Sequence, residues 1–85
     1  MWADHWARQG YAWRAIRAKL AAKGFADAAI APLTQRVGSA EAELARARVV
    51  ASTARGRSRP HLVRKLSARG FEDAVIEEVV RDAER

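Results

Sequence analysis

Residues 19–30 read KLAAKGFADAAI and residues 65–76 read KLSARGFEDAVI, the same pattern 46 positions later. The match continues upstream, where Gly10 falls on Gly56, Ile16 on Leu62, Lys19 on Lys65, Leu20 on Leu66 and Ala22 on Ala68. Downstream, Gly24 meets Gly70, Phe25 meets Phe71, Asp27 meets Asp73 and Ile30 meets Ile76. A fixed period of this size marks a helical or solenoid repeat. An 85-residue chain then has room for one ordinary domain at most, or for two very small units sharing a core.

Helix formers dominate both copies, and β-branched residues never alternate with polar ones over a strand's length. The pattern predicts helices over 2–9, 12–23 and 27–37, then over 42–55, 60–69 and 72–83. Gly10, Gly24, Gly56 and Gly70 each follow a helical stretch, where a glycine in the left-handed conformation closes a helix. Lys23 and Arg69, just before two of them, suit the negative end of the helix dipole. Trp13, Ile16 and Leu20 recur at three- and four-residue steps, as do Leu62 and Leu66, so these are the buried stripes. Pro60 fits a first helical turn and Ser58 its cap.

Phe25 and Phe71 are expected to tuck under the helices that follow them. In those helices Ile30, Leu33 and Val37 answer to Ile76, Val79 and Val80, and Asp27 and Asp73 sit near the positive end of the dipole. Pro32 lies where the second copy has Glu78, so the first copy's third helix starts late or kinks there. GSAEAE, residues 38–43, lacks large apolar side chains and suits a short connection. The expected fold is all-α: two tandem three-helix repeats, 1–38 and 44–85, joined by 39–43 into an elongated helical array.

Charge is the strongest bulk signal, with 16 basic against 10 acidic residues for a net +6. Residues 46–69 hold Arg46, Arg48, Arg55, Arg57, Arg59, Arg64, Lys65 and Arg69 and no carboxylate, whereas the tail carries Glu72, Asp73, Glu77, Glu78, Asp82 and Glu84. Such a layout is either a solvated surface laced with ion pairs or the footprint of a polyanion or acidic protein face. Without cysteine there is no disulfide framework, thiolate metal site or thiol nucleophile. No apolar run approaches the roughly 18 residues of a membrane span. MWADHW is not laid out as a secretory signal, so the default compartment is the cytoplasm. His5 and His61 have no neighbours at ligand spacing, the serines lack a companion His–Asp arrangement, and no Gly-rich phosphate loop occurs. Neither enzymatic activity, nor a metal, nor a cofactor is expected.

A short helix, a glycine, a basic helix written IRAKLAAKGF or LVRKLSARGF, then a helix with an acidic start: this resembles the RecX family of recombinase regulators. Its members are built from tandem three-helix repeats with a K-L-x-x-[KR]-G-[FIV] stretch closing the middle helix. The resemblance runs from about Ala3 to Val80 and is reinforced by the matching flanks GYAWRAIRAKL and GRSRPHLVRKL. Typical members carry three repeats, whereas here there are two. The resemblance implies a cytoplasmic regulator that binds RecA filaments along their groove and inhibits or modulates RecA ATPase, recombinase and coprotease activity. It implies contacts to the filament's acidic surface and to phosphates of single- or double-stranded DNA.

The residues expected to carry binding are Arg14, Arg17, Lys19 and Lys23 in the first copy, and Arg55, Arg57, Arg59, Arg64, Lys65 and Arg69 in the second. Their alternative role is ordinary surface solubility. Trp2, Trp6 and Trp13 are expected in the core, where indoles supply bulk that the alanines lack; a contact face is the alternative for Trp2 and Trp6. A monomer without membrane attachment is expected. The rival reading is a stand-alone basic helical module that binds nucleic acid through phosphates. It would have weak sequence preference, because no helix carries the Asn, Gln and Arg combination that reads base edges. A blander third reading is a helical scaffold that binds another protein through apolar faces.

Overall fold

The computed structural model describes residues 2–54 and 56–83. Among the described residues the chain is all-helical, with no strand: α1 (Trp2–Arg8), α2 (Trp13–Ala22), α3 (Asp27–Ile30), α4 (Leu33–Arg36), α5 (Ala40–Thr53), α6 (Arg59–Ala68) and α7 (Asp73–Ala83). Principal extents are 41 × 20 × 19 Å.

The middle helices α2 and α6 start and end 46 residues apart, and their ends share one backbone conformation. Ala12 and Ser58, the residues before them, have φ/ψ of −70/158 and −68/158. Lys23 and Arg69, the residues after them, have −84/−1 and −83/−3. Gly24 and Gly70 then turn left-handed at φ 95 and 94. Each glycine N–H bonds back to the carbonyl of Ala21 or Ser67, and the following Phe N–H to Leu20 or Leu66, which together form a Schellman closure.

Two apolar clusters fill the interior. Ala3, Trp6, Trp13, Ile16, Leu20, Ile30, Leu33 and Val37 form one; the other gathers residues of α5, α6 and α7 around Leu66, Phe71, Ile76, Val79 and Val80. Leu20 and Leu66 are fully buried, a contribution of about 1.5–3 kcal/mol each. Ala12 crosses over: it belongs to the second cluster although it lies at the head of α2.

Four details depart from the sequence reading. The first copy's third helix starts at Asp27, not late, and is interrupted at Ala31–Pro32, which divides it into α3 and α4, each four residues long. Ala31 and Pro32 keep right-handed helical dihedrals, but proline has no N–H to continue the ladder. Phe71 is buried as expected, yet Phe25 is 38% exposed. Its cover is thinner, because α1 has 7 residues where α5 has 14, and α3 stops after a single turn. Trp6 and Trp13 are core residues, but Trp2 is 44% exposed. Finally, most of residues 38–43 is not a connection. Ser39 caps α5 by accepting from Ala42 N–H at 3.1 Å, so Ala40–Glu43 are its first turn. Glu41 and Glu43 there suit the positive end of the dipole.

Candidate functional site

α5 is tied to the backbone just before α2 and just after α4 by an arginine that the basic-block reading assigned to the surface. Arg46 points inward: Nε donates to Tyr11 O at 2.9 Å, and Nη2 donates to Val37 O at 2.8 Å and Glu43 Oε1 at 2.5 Å. Arg48 pairs with Asp82 at 3.1 Å, so there the basic block and the acidic tail helix do neutralise each other. Arg46 is therefore committed to the fold, whereas Arg48 forms a surface pair and stays exposed.

The ten candidate cations do not share one face. Side chains two residues apart on a helix point about 200° apart, so Arg17 and Lys19 leave α2 on opposite flanks of its buried stripe. Arg14 and Arg17 are exposed and line a groove of about 480 Å³ with Trp13, Leu44, Glu72 and Glu78. The carboxylates in that groove temper its positive field. Arg57 lines a second groove, of about 550 Å³, with Arg48, Leu62 and Asp82. Arg59 and Arg64 are exposed on α6. Lys65 is half-buried and donates to Thr53 Oγ1 at 2.9 Å, tying α6 to α5. Arg55 lies outside the described residues.

The remaining three, Lys19, Lys23 and Arg69, converge on an aromatic strip. Trp2 and Trp6 stack with centroids 5.3 Å apart and planes 25° apart, as their four-residue spacing on α1 allows. Lys23 Nζ lies 4.1 Å from the Trp2 ring centroid. Lys19 Nζ lies 4.6 Å from Tyr11 and 5.7 Å from Trp6. The Arg69 guanidinium stands 5.1 Å from Tyr11, and its Nη1 donates to Gln9 O. Each ring offers its negative face to a cation, worth about 0.5–1 kcal/mol at exposed sites. None of these three cations pairs with a carboxylate among the described residues. Asp4, the acidic residue of α1, is held by Arg36 at 2.5 Å, and that hydrogen bond keeps its carboxyl below the ordinary carboxylate range.

The sequence reading chose the three cations but missed what they gather around. Tyr11, the chain's single tyrosine, was not singled out, and it receives both Lys19 and Arg69. The available signal was the i, i+4 pairing of Trp2 with Trp6 and of Lys19 with Lys23, which puts two rings and two ammonium groups each on one helix face. Arg69 could not be placed this way, since it arrives from the other copy.

Among the described residues no helix is long and apolar enough to cross a membrane, and no three His, Asp or Glu side chains gather to hold a metal ion. Comparison with known protein families, with curated proteins and with solved structures finds no match.

Proposed function

We propose that this chain is a RecX-like modulator of the RecA filament, built as two tandem three-helix repeats and acting through the cations of α2 and α6. One observation supports the reading: α2 and α6 carry the resemblance motif and repeat one backbone from the residue before each helix to its closing glycine. A helix repeated at a fixed step offers related contacts at a fixed step. That suits a partner which is itself a helical polymer, because a second contact made within one complex adds avidity. Exposed Arg14, Arg17, Arg57, Arg59 and Arg64 attract an acidic surface and speed encounter. A chain lodged in the filament groove hinders the movements that accompany ATP turnover and strand exchange, so it inhibits without doing chemistry.

The test is ATP hydrolysis by preformed RecA filaments on excess single-stranded DNA, titrated with this chain. Excess DNA removes simple sequestration as a cause of inhibition. Hydrolysis should fall as the chain is added, and the triple variant Arg57→Ala, Arg59→Ala, Arg64→Ala should lose that effect while circular dichroism stays helical. Hydrolysis unchanged at saturating chain would remove this function.

A further inference from the structure

Trp2 is the largest apolar side chain at the surface: 44% exposed, stacked by Trp6 at 5.3 Å, with Lys23 4.1 Å from its ring. An exposed indole held at a fixed angle by a second indole is a flat platform. Beside it the cations form a line. Lys19 in α2 and Lys23 just after its end are four residues apart, about 6 Å along the helix axis. Arg69 follows across Tyr11, with its guanidinium 5.1 Å from the same ring that Lys19 approaches at 4.6 Å. The strip thus runs from the first tryptophan of α1 to the end of α6. None of its cations is neutralised by a carboxylate among the described residues. The acidic side chain of α1, Asp4, is occupied with Arg36.

We infer that this strip binds single-stranded nucleic acid, with one base stacked on Trp2 and the phosphates that follow it lying along Lys23, Lys19 and Arg69. Charge complementarity and ring geometry select that occupant together. Three cations without counter-charges call for a polyanion, and an indole platform at their end calls for one with flat, unpaired bases. A duplex keeps its bases stacked inside and would use the cations alone. In the free protein the rings hold the lysine ammonium groups by cation–π attraction. Their flexible stems let them swing to phosphate as a base takes the ring face. Stacking depends little on base identity, so the site has weak sequence preference.

This inference concerns the isolated chain and stands apart from the filament reading, so the test omits RecA. A fluorescein-labelled oligo-dT of about 12 nucleotides is titrated with the chain, following both anisotropy and intrinsic tryptophan emission. The oligonucleotide should bind and quench the emission, whereas inorganic polyphosphate should not quench it. Trp2→Ala should weaken binding about tenfold, in the range expected for loss of one base–aromatic stack, and Trp2→Phe should restore most of it. Lys19→Met with Lys23→Met should make the log–log salt slope shallower by about 1.4, or 0.7 for each lost phosphate contact. Circular dichroism confirms that each variant folds. Trp2→Ala binding as tightly as the parent chain overturns the inference. So does equal quenching by polyphosphate, a preference for duplex, or displacement of the oligonucleotide by anionic phosphatidylserine vesicles at lower anion concentration. A negative result leaves inhibition of RecA hydrolysis untouched, because that assay reads a different partner.

Discussion

Glu43 Oε1 accepts the backbone N–H of Trp13 at 2.5 Å, so the first helical N–H of α2 is satisfied by a side chain 30 residues downstream. Ala12, the residue before α2, has no side chain able to cap it. Its counterpart Ser58 caps α6 unaided, accepting from His61 N–H at 3.3 Å. The same Glu43 oxygen also receives Arg46 at 2.5 Å. Glu43→Ala therefore removes a cap and leaves a half-buried guanidinium with carbonyl acceptors but no counter-charge, with an expected loss of about 2–3 kcal/mol. Ser58→Ala removes a cap alone, about 1 kcal/mol. Urea denaturation followed by circular dichroism compares them, and equal losses would show that the Glu43 tie adds nothing beyond capping.

Gly10 and Gly56 have the same left-handed φ, +88 and +85, but different neighbours. A Cβ on Gly10 would lie 2.7 Å from Val50 Cγ2, whereas one on Gly56 would meet nothing within 4 Å. Both alanine variants should lose about 1–2 kcal/mol for the backbone conformation. Gly10→Ala should lose appreciably more, since the Val50 side chain must turn or α5 shift to admit it. Similar midpoints for the two variants in thermal unfolding would mean that α5 yields freely at Val50.

The Asp4–Arg36 pair joins α1 to α4 and makes a defined acid limb of stability. The hydrogen bond from Arg36 lowers the folded-state pKa of Asp4. Its stabilisation is thus fully present above the unfolded-state value, about 3.9, and is lost as pH falls through the lower folded value. The pair is solvent-exposed, so the effect is small and fades with salt. An NMR titration of the Asp4 carboxyl should give a midpoint below that of free aspartate, and Arg36→Gln should return it towards the free value. A midpoint unmoved by Arg36→Gln would assign the shift to another cause.

If the chain inhibits the filament through Arg57, Arg59 and Arg64 as proposed, the inhibition should weaken as salt rises. Contacts to acidic protein respond through screening over about 10 Å at moderate ionic strength, a gentler dependence than counterion release from phosphate. Arg14→Ala with Arg17→Ala should weaken inhibition partly and Arg57→Ala with Arg64→Ala more strongly, because Glu72 and Glu78 share the groove of the first pair, whereas Asp82 in the groove of Arg57 is paired with Arg48. If the two pairs have equal effects, the groove carboxylates do not modulate the contact.

Local chemistry was legible before any fold was known. The closing glycines and the cap at Ser58 depend on residues within one or two turns, and Leu20 and Leu66 are buried because helical spacing puts them on the apolar stripe. The break at Pro32 was half legible: proline announces a lost N–H, but whether the helix starts late or is interrupted there depends on what packs beside it. Phe25 was misread for that same reason, since its motif is that of buried Phe71 and only its cover differs.

By itself the sequence determined an all-helical chain, the places where most of its helices stop, its buried stripes and its excess of positive charge. These follow from backbone sterics, hydrogen-bond geometry and helical spacing, which act over a few residues. Only the tertiary structure decided that Glu43 would cap α2, that Arg46 would face inward while Arg57 and Arg64 stay outside, and that Arg69 would meet Tyr11 beside Lys19. An arginine carries the same charge in every setting. Its role is set by which carbonyl, carboxylate or ring comes within about 3–6 Å when distant segments pack, and nothing in its neighbouring residues encodes that approach.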